Sequence, residues 1–181
     1  MLEVLIEAST GQTYSSALAK YLLSPLGMDS TFVETIEDRE NMLTTGYDRA
    51  MRVATPWEFE SFAASEGLKT SLTDLVTFVR AHLHESASPL SSILRQNISP
   101  ELPTNFNEYI MSGKGWQIID QRRKPDIVTH TGKTSGHNAF VAFVEQTKTG
   151  VIILANSNKG VENLGYLILR MINYNWKRKT P

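Results

Sequence analysis

Hydrophobic and polar positions change period past residue 110. Before it the spacing is mostly helical. Leu2, Leu5 and Ile6 predict a helix in "LEVLIEAS" that Gly11 ends. In "TYSSALAKYLLSPLGM" Thr13 can cap, Leu18, Leu22 and Leu23 share a face, and Pro25 closes the helix. Residues 29–56 keep no period and carry turn signals at Gly46 and Pro56, which predicts loop with short strands. "SLTDLVTFVRAHL" is sharper. Ser71 and Asp74 make a capping-box-like start, and Leu72, Leu75, Val76 and Val79 form the stripe. A further helix in "PLSSILRQNI" stops before Pro100, and "SPELPTNFNEYIMSG" predicts loop.

The last third alternates differently. "GWQIID", "DIVTH", "NAFVAFVE" and "GVIILAN" are short β-branched or aromatic runs between turn residues, hence strands. "QTKTG" fits a tight hairpin joining the last two as antiparallel neighbours. A closing helix near 161–176 carries Leu164, Leu167, Ile168, Met171 and Ile172 on one face, expected to lie on the sheet. These elements make an α+β chain: helices and loops over 1–110, then an antiparallel sheet and C-terminal helix over 111–181, in one folded unit.

Composition narrows the function classes. The chain has 181 residues, 41% of them apolar, and a net charge of −1, so a packed domain is expected and nothing favours nucleic acid. The basic runs "QRRK" (121–124) and "WKRKT" (176–180) read as solvated charge. Without cysteine there is neither disulfide framework nor thiolate chemistry, and the redox compartment stays open. No apolar run approaches the ~20 residues of a membrane span. No metal or cofactor motif stands out. His82 and His84 have the wrong helical spacing for a metal pair and read as surface residues.

Several stretches, in order, resemble the C-terminal half of serine β-lactamase-like proteins of the class C group, with the related D-alanyl-D-alanine carboxypeptidases and esterases. They are "EASTGQTYSSALAKYLLSPLGMDST" (7–31), "EGLKTSLTDLVTFVRAHL" (66–83), "GKGWQI" (113–118), "HTGKTSGHNAFVAF" (130–143) and "GVIILANSN" (150–158). The resemblance implies a partial β-lactamase/transpeptidase-like fold. It also implies that His130, Thr131 and Gly132 stand for the family's Lys/His-Thr/Ser-Gly motif on the strand edging the active site. Gly132 would leave room for a substrate backbone, and Thr131 would hydrogen-bond a substrate carboxylate. The Lys133 N–H would contribute to an oxyanion hole, and His130 would bias the site towards anions. Histidine rather than lysine there leans towards a peptidase, esterase or amidase.

The family's Ser-x-x-Lys pair is missing: no serine stands three residues ahead of any of the nine lysines. Tyr-x-Asn and Ser-x-Asn are missing too. The resemblance places both ahead of residue 7, so the chain is expected to be a C-terminal fragment, inactive alone, of a parent acting on a small molecule or peptide. In the resembled fold "GVIILAN" pairs with an N-terminal strand. Self-association, or binding of the missing half, is then the expected behaviour of an open edge. Periplasmic or secreted location is an implication of the resemblance only.

Other readings compete with this one. Ser135, His137 and Asp126 match a triad by residue type, yet neighbouring strand residues face opposite ways and "GKTSG" misplaces the serine of a nucleophile elbow. His130 could be a strand-end histidine with a structural hydrogen bond, and the whole chain a non-catalytic binding module or an unrelated α+β domain. Tyr47 and Trp57 read as core aromatics, with cleft lining as the alternative.

Overall fold

The computed structural model describes residues 1–33, 41–57, 63–83, 90–105, 108–122 and 124–175. Helices come first: α1 (Leu2–Thr10), α2 (Tyr14–Leu18), α3 (Ser24–Leu26), α4 (Ala63–Glu66), α5 (Leu72–Leu83) and α6 (Ser91–Asn97). Six strands follow, β1 (Leu102–Pro103), β2 (Ile110–Ser112), β3 (Gln117–Ile119), β4 (Ile127–Lys133), β5 (Asn138–Val144) and β6 (Thr149–Ala155), and α7 (Glu162–Ile172) closes the chain. The strands form one antiparallel sheet in sequence order, β1 to β6.

The helix boundaries follow local chemistry. Gly11 takes a left-handed φ of 65° and ends α1, and the Thr13 hydroxyl accepts from the Ser16 N–H to cap α2. Pro25 does not close its helix. Residues 19–23 form a π-helical turn, with the Ser24 N–H bonded to the Ala19 carbonyl five residues back. The widened turn lets Pro25 enter a further helical turn, and Gly27 (φ 68°) ends it. β1 and β2 lie inside the stretch expected to be loop. At two and three residues they are too short to show alternation.

Two apolar clusters sandwich the sheet. On one face Val79 and Leu83 of α5 pack with Ile98, Trp116, Ile118, Val128, Val141 and Phe143. On the other, Leu169 of α7 packs with Ile127, Phe140, Ala142, Val144 and Val151. Of the stripe expected to seat α7, Ile168 packs against this cluster and the other four residues do not. Gly165 and Leu169 are buried, while Leu164, Leu167, Met171 and Ile172 are each more than half exposed. Likewise α1 has no buried residue, and Leu72 of α5 is exposed. Trp57 is exposed rather than core, and Tyr47 is half-buried.

Candidate active-site strand

β4 is longer than its neighbour on one side. β3 pairs with it only at Ile127, Val128 and Thr129, whereas β5 pairs with Val128 through Lys133. His130, Thr131, Gly132 and Lys133 therefore continue past the last β3 partner, and all four are exposed. A strand with one open side presents every second residue's N–H and C=O outward. The four residues singled out from sequence coincide with this open edge.

Alternation distributes their side chains. Val128 belongs to the α5-side cluster, and His130 reaches Trp116 on that face, ring centroids 6.3 Å apart. Thr129 meets the Tyr166 hydroxyl of α7 on the other. His130 and Gly132 thus face the α5 side, and Thr131 and Lys133 the α7 side, so the pairs flank the edge. A Cβ built on Gly132 would make only an ordinary 3.8 Å contact with Ala139. Packing within the described residues gives no reason for glycine there.

The far end of the edge is clamped. The β4–β5 turn closes with the Thr134 N–H on the His137 carbonyl and the His137 N–H on the Thr134 hydroxyl. Asn158 donates its amide to the carbonyls of Thr134 and Ser135, and Asn138 donates to those of Ser157 and Lys159. The loop at 44–57 seals the turn: Tyr47 N–H reaches the Gly136 carbonyl, and the Ser135 hydroxyl donates to Thr55. Gly136 and Gly46 touch directly, since a Cβ on Gly136 would lie 2.8 Å from the Gly46 Cα.

The triad by residue type does not assemble. Ser135 and His137 lie in the turn after β4, and Asp126 lies before its start, about 20 Å of strand away. His137 instead meets Thr44 through Nε2. Burial, then the nearby Asp120 charge, raises the Asp126 pKa, with a backbone hydrogen bond from Gln121 pulling the other way. A small cavity at that end, lined in part by Gln121, Ile127, Leu169 and Asn173, is remote from 130–133.

His82 corrects an expectation: it is 3% exposed, not a surface residue, because position 82 continues the inward stripe through Leu75, Phe78 and Val79. Its ring meets Phe78, Trp116 and Phe143. Nδ1 lies 3.0 Å from the Phe78 carbonyl, which can only accept, so Nδ1 carries the proton. Nε2 is buried without a hydrogen-bond partner among the described residues, and desolvation lowers the pKa despite the Phe78 bond. His84 lies outside the described residues. Among the described residues no three His, Cys, Asp or Glu gather to hold a metal, and no helix is long and apolar enough to cross a membrane.

Sequence reasoning missed the role of Trp116 and read Asp74 only as the capping partner of Ser71, whose hydroxyl does accept from the Asp74 N–H. Buried Asp74 accepts from the Ser30 N–H at 2.9 Å and the Thr31 hydroxyl at 2.6 Å, joining α5 to the segment after α3.

The comparisons agree with this architecture. A β-lactamase from Pseudomonas fluorescens is 27% identical over 184 residues, covering 83% of this chain and 50% of that protein. One from Yersinia enterocolitica is 24% identical, covering 81% and 46%. The chain spans about half the length of these relatives. A β-lactamase/D-alanine carboxypeptidase from Pseudomonas syringae superposes with a TM-score of 0.83 at 21% identity, over 97% of this chain and 57% of that one. A class C β-lactamase gives 0.84 at 19%, over 98% and 56%. The structure is a partial β-lactamase/transpeptidase fold, and the β-lactamase family model matches residues 1–172. The chain belongs to the β-lactamase family.

Proposed function

We propose that this chain forms one wall of a serine acyl-transfer site, and that a substrate lies antiparallel along the open edge of β4 at residues 130–133. One observation carries it: β4 continues to Lys133 after β3 has stopped pairing at Thr129, leaving an exposed edge. The glycine that nothing among the described residues requires supports close approach of a ligand backbone. The Lys133 N–H serves the oxyanion, the Thr131 hydroxyl binds a substrate carboxylate, and His130 biases the edge towards anions. The substrate class is an acyl peptide, amide, ester or β-lactam. A peptide ending in a D-alanine carboxylate suits the Thr131 role, and a structural neighbour is named as a D-alanine carboxypeptidase.

The chain has no Ser-x-x-Lys, so the attacking serine and its base come from another polypeptide segment. That segment docks where β6 has no outer strand partner among the described residues and α7 leaves Leu164, Leu167 and Met171 exposed.

The test is to titrate the isotope-labelled chain with an N-acylated D-alanyl-D-alanine peptide and a cephalosporin. The amides of residues 130–133 should shift most. Perturbation centred elsewhere would refute the site. The chain alone should neither hydrolyse a chromogenic cephalosporin nor label with a fluorophosphonate, and a serine-dependent burst would refute the need for a second segment. A protein carrying this chain plus a preceding Ser-x-x-Lys segment should label at that serine. Peptide binding without labelling would instead favour a non-catalytic binding module.

A further inference from the structure

We propose that Trp116 is a positioning residue for His130, and that His82 fixes Trp116 from behind, so that α5 sets ring orientation at the open edge. The inference rests on the assignment of 130–133 as a substrate wall. Trp116 immediately precedes β3, and the pairing of Gln117 with Thr129 carries it alongside His130. The two rings meet edge-on at 87°. His130 stands on an exposed strand end, where a side chain without such a contact would sample several rotamers.

Trp116 is itself confined. His82 and Phe143 meet its indole nearly perpendicularly, each at 5.3 Å, and Phe78 stacks on it at 6.2 Å. With 9% of its surface exposed, the indole cannot turn without displacing one of the three. The histidine at 82 has a specific merit there. A phenylalanine would leave no orphaned Nε2, but it would also lack the Nδ1–H bond to the Phe78 carbonyl, which fixes the ring plane. Position 82 accepts an unpaired polar atom and gains a defined orientation, which passes through Trp116 to the one imidazole on the candidate edge. A group that must meet an anion at a set angle depends on such support.

Nuclear magnetic resonance on the chain itself tests this through the His130 side-chain three-bond couplings and cross-relaxation between its imidazole and the Trp116 indole. The expected result is one dominant His130 rotamer with cross-peaks to the indole. In Trp116→Leu the couplings should move to rotamer-averaged values while the amide shifts of Glu162–Ile172, on the opposite face of the sheet, and the His137 ring signals stay in place. Trp116→Phe should keep most of the single-rotamer character. His82→Ala should average the His130 couplings without touching the edge. If Trp116→Leu does not fold, the parent chain and His82→Ala decide the matter. Averaged couplings in the parent, or a His130 indifferent to both substitutions, overturn the proposal. None of these readouts uses a ligand. A chain that fails to bind the peptide at 130–133 defeats the functional assignment and leaves the rotamer result standing, and the reverse holds equally.

Discussion

Gly165 lies so close to Phe140 that a Cβ on it would fall 2.2 Å from the ring's Cε1. Phe140 is fully buried and has nowhere to go. A helical glycine normally costs about 1 kcal/mol relative to alanine, so Gly→Ala in a helix is usually stabilising. Here overpacking, typically 1–3 kcal/mol, outweighs that gain. A contact of 2.2 Å puts the cost at the upper end of that range, so Gly165→Ala should lower the unfolding free energy by a net of about 1–2 kcal/mol, read as a lower urea midpoint with an unchanged slope. A variant as stable as the parent would show that α7 does not sit on Phe140 as described.

His82 makes stability depend on pH. Its folded pKa lies below the ordinary value near 6.5, so the unfolded chain takes up the proton first. The contribution of the neutral, buried ring is complete above about pH 6.5 and is lost as pH falls below it. Urea midpoints should drop between pH 7.5 and 5.5 in the parent and drop less in His82→Phe. Equal losses in both would mean that the buried His82 ring does not carry the effect.

Asp74 is buried, and its carboxylate accepts from the Ser30 N–H and the Thr31 hydroxyl. Removing it orphans the Ser30 N–H and leaves the Thr31 hydroxyl with Thr70 alone. Asp74→Ala should cost about 1.5–3 kcal/mol, the range for hydrogen bonds to a charged group. Chemical denaturation measures this directly, and a loss under about 0.5 kcal/mol would place the junction of α3 and α5 elsewhere.

At Gly132 stability and binding should separate. The space beside it is open, and a β-branched residue suits a strand, so Gly132→Val should leave stability unchanged or raise it by up to about 1 kcal/mol. Peptide binding at the edge should weaken at least about tenfold, equivalent to about 1.4 kcal/mol. Undiminished binding would mean the ligand backbone does not pass that residue.

The uncovered faces predict association. β6 reads Thr-Gly-Val-Ile-Ile-Leu-Ala, without a lysine or proline to discourage a new partner strand. Light scattering should show mass rising with concentration, and Leu154→Lys with Met171→Lys should suppress the rise. A parent that stays monomeric throughout the concentration range would contradict this.

What sequence could reveal depended on how many solutions each pattern allowed. β5 and β6 were legible because two long runs rich in β-branched, aromatic and aliphatic residues with a tight connector admit one arrangement, and β4 was legible only as far as His130. The edge position of 130–133 was visible only through a family resemblance, since four residues have no period of their own. The seating of α7 was misjudged because apolar residues lie most of the way around it, from Leu164 to Ile172. Gly165 was the overlooked clue: a glycine inside a helix marks the side of closest approach. His82 was misplaced because unsuitability for metal was taken to mean exposure, although its spacing from Leu75 and Phe78 continues the buried face.

Where Gly46 and Gly136 meet, main chain rests on main chain, and the His137 ring and the Ala54 methyl close the space on either side. Tolerance at the two positions is therefore shared. Bulk gained at one must be matched by retreat of the segment carrying the other, so sequences descended from a common ancestor should vary there together or not at all.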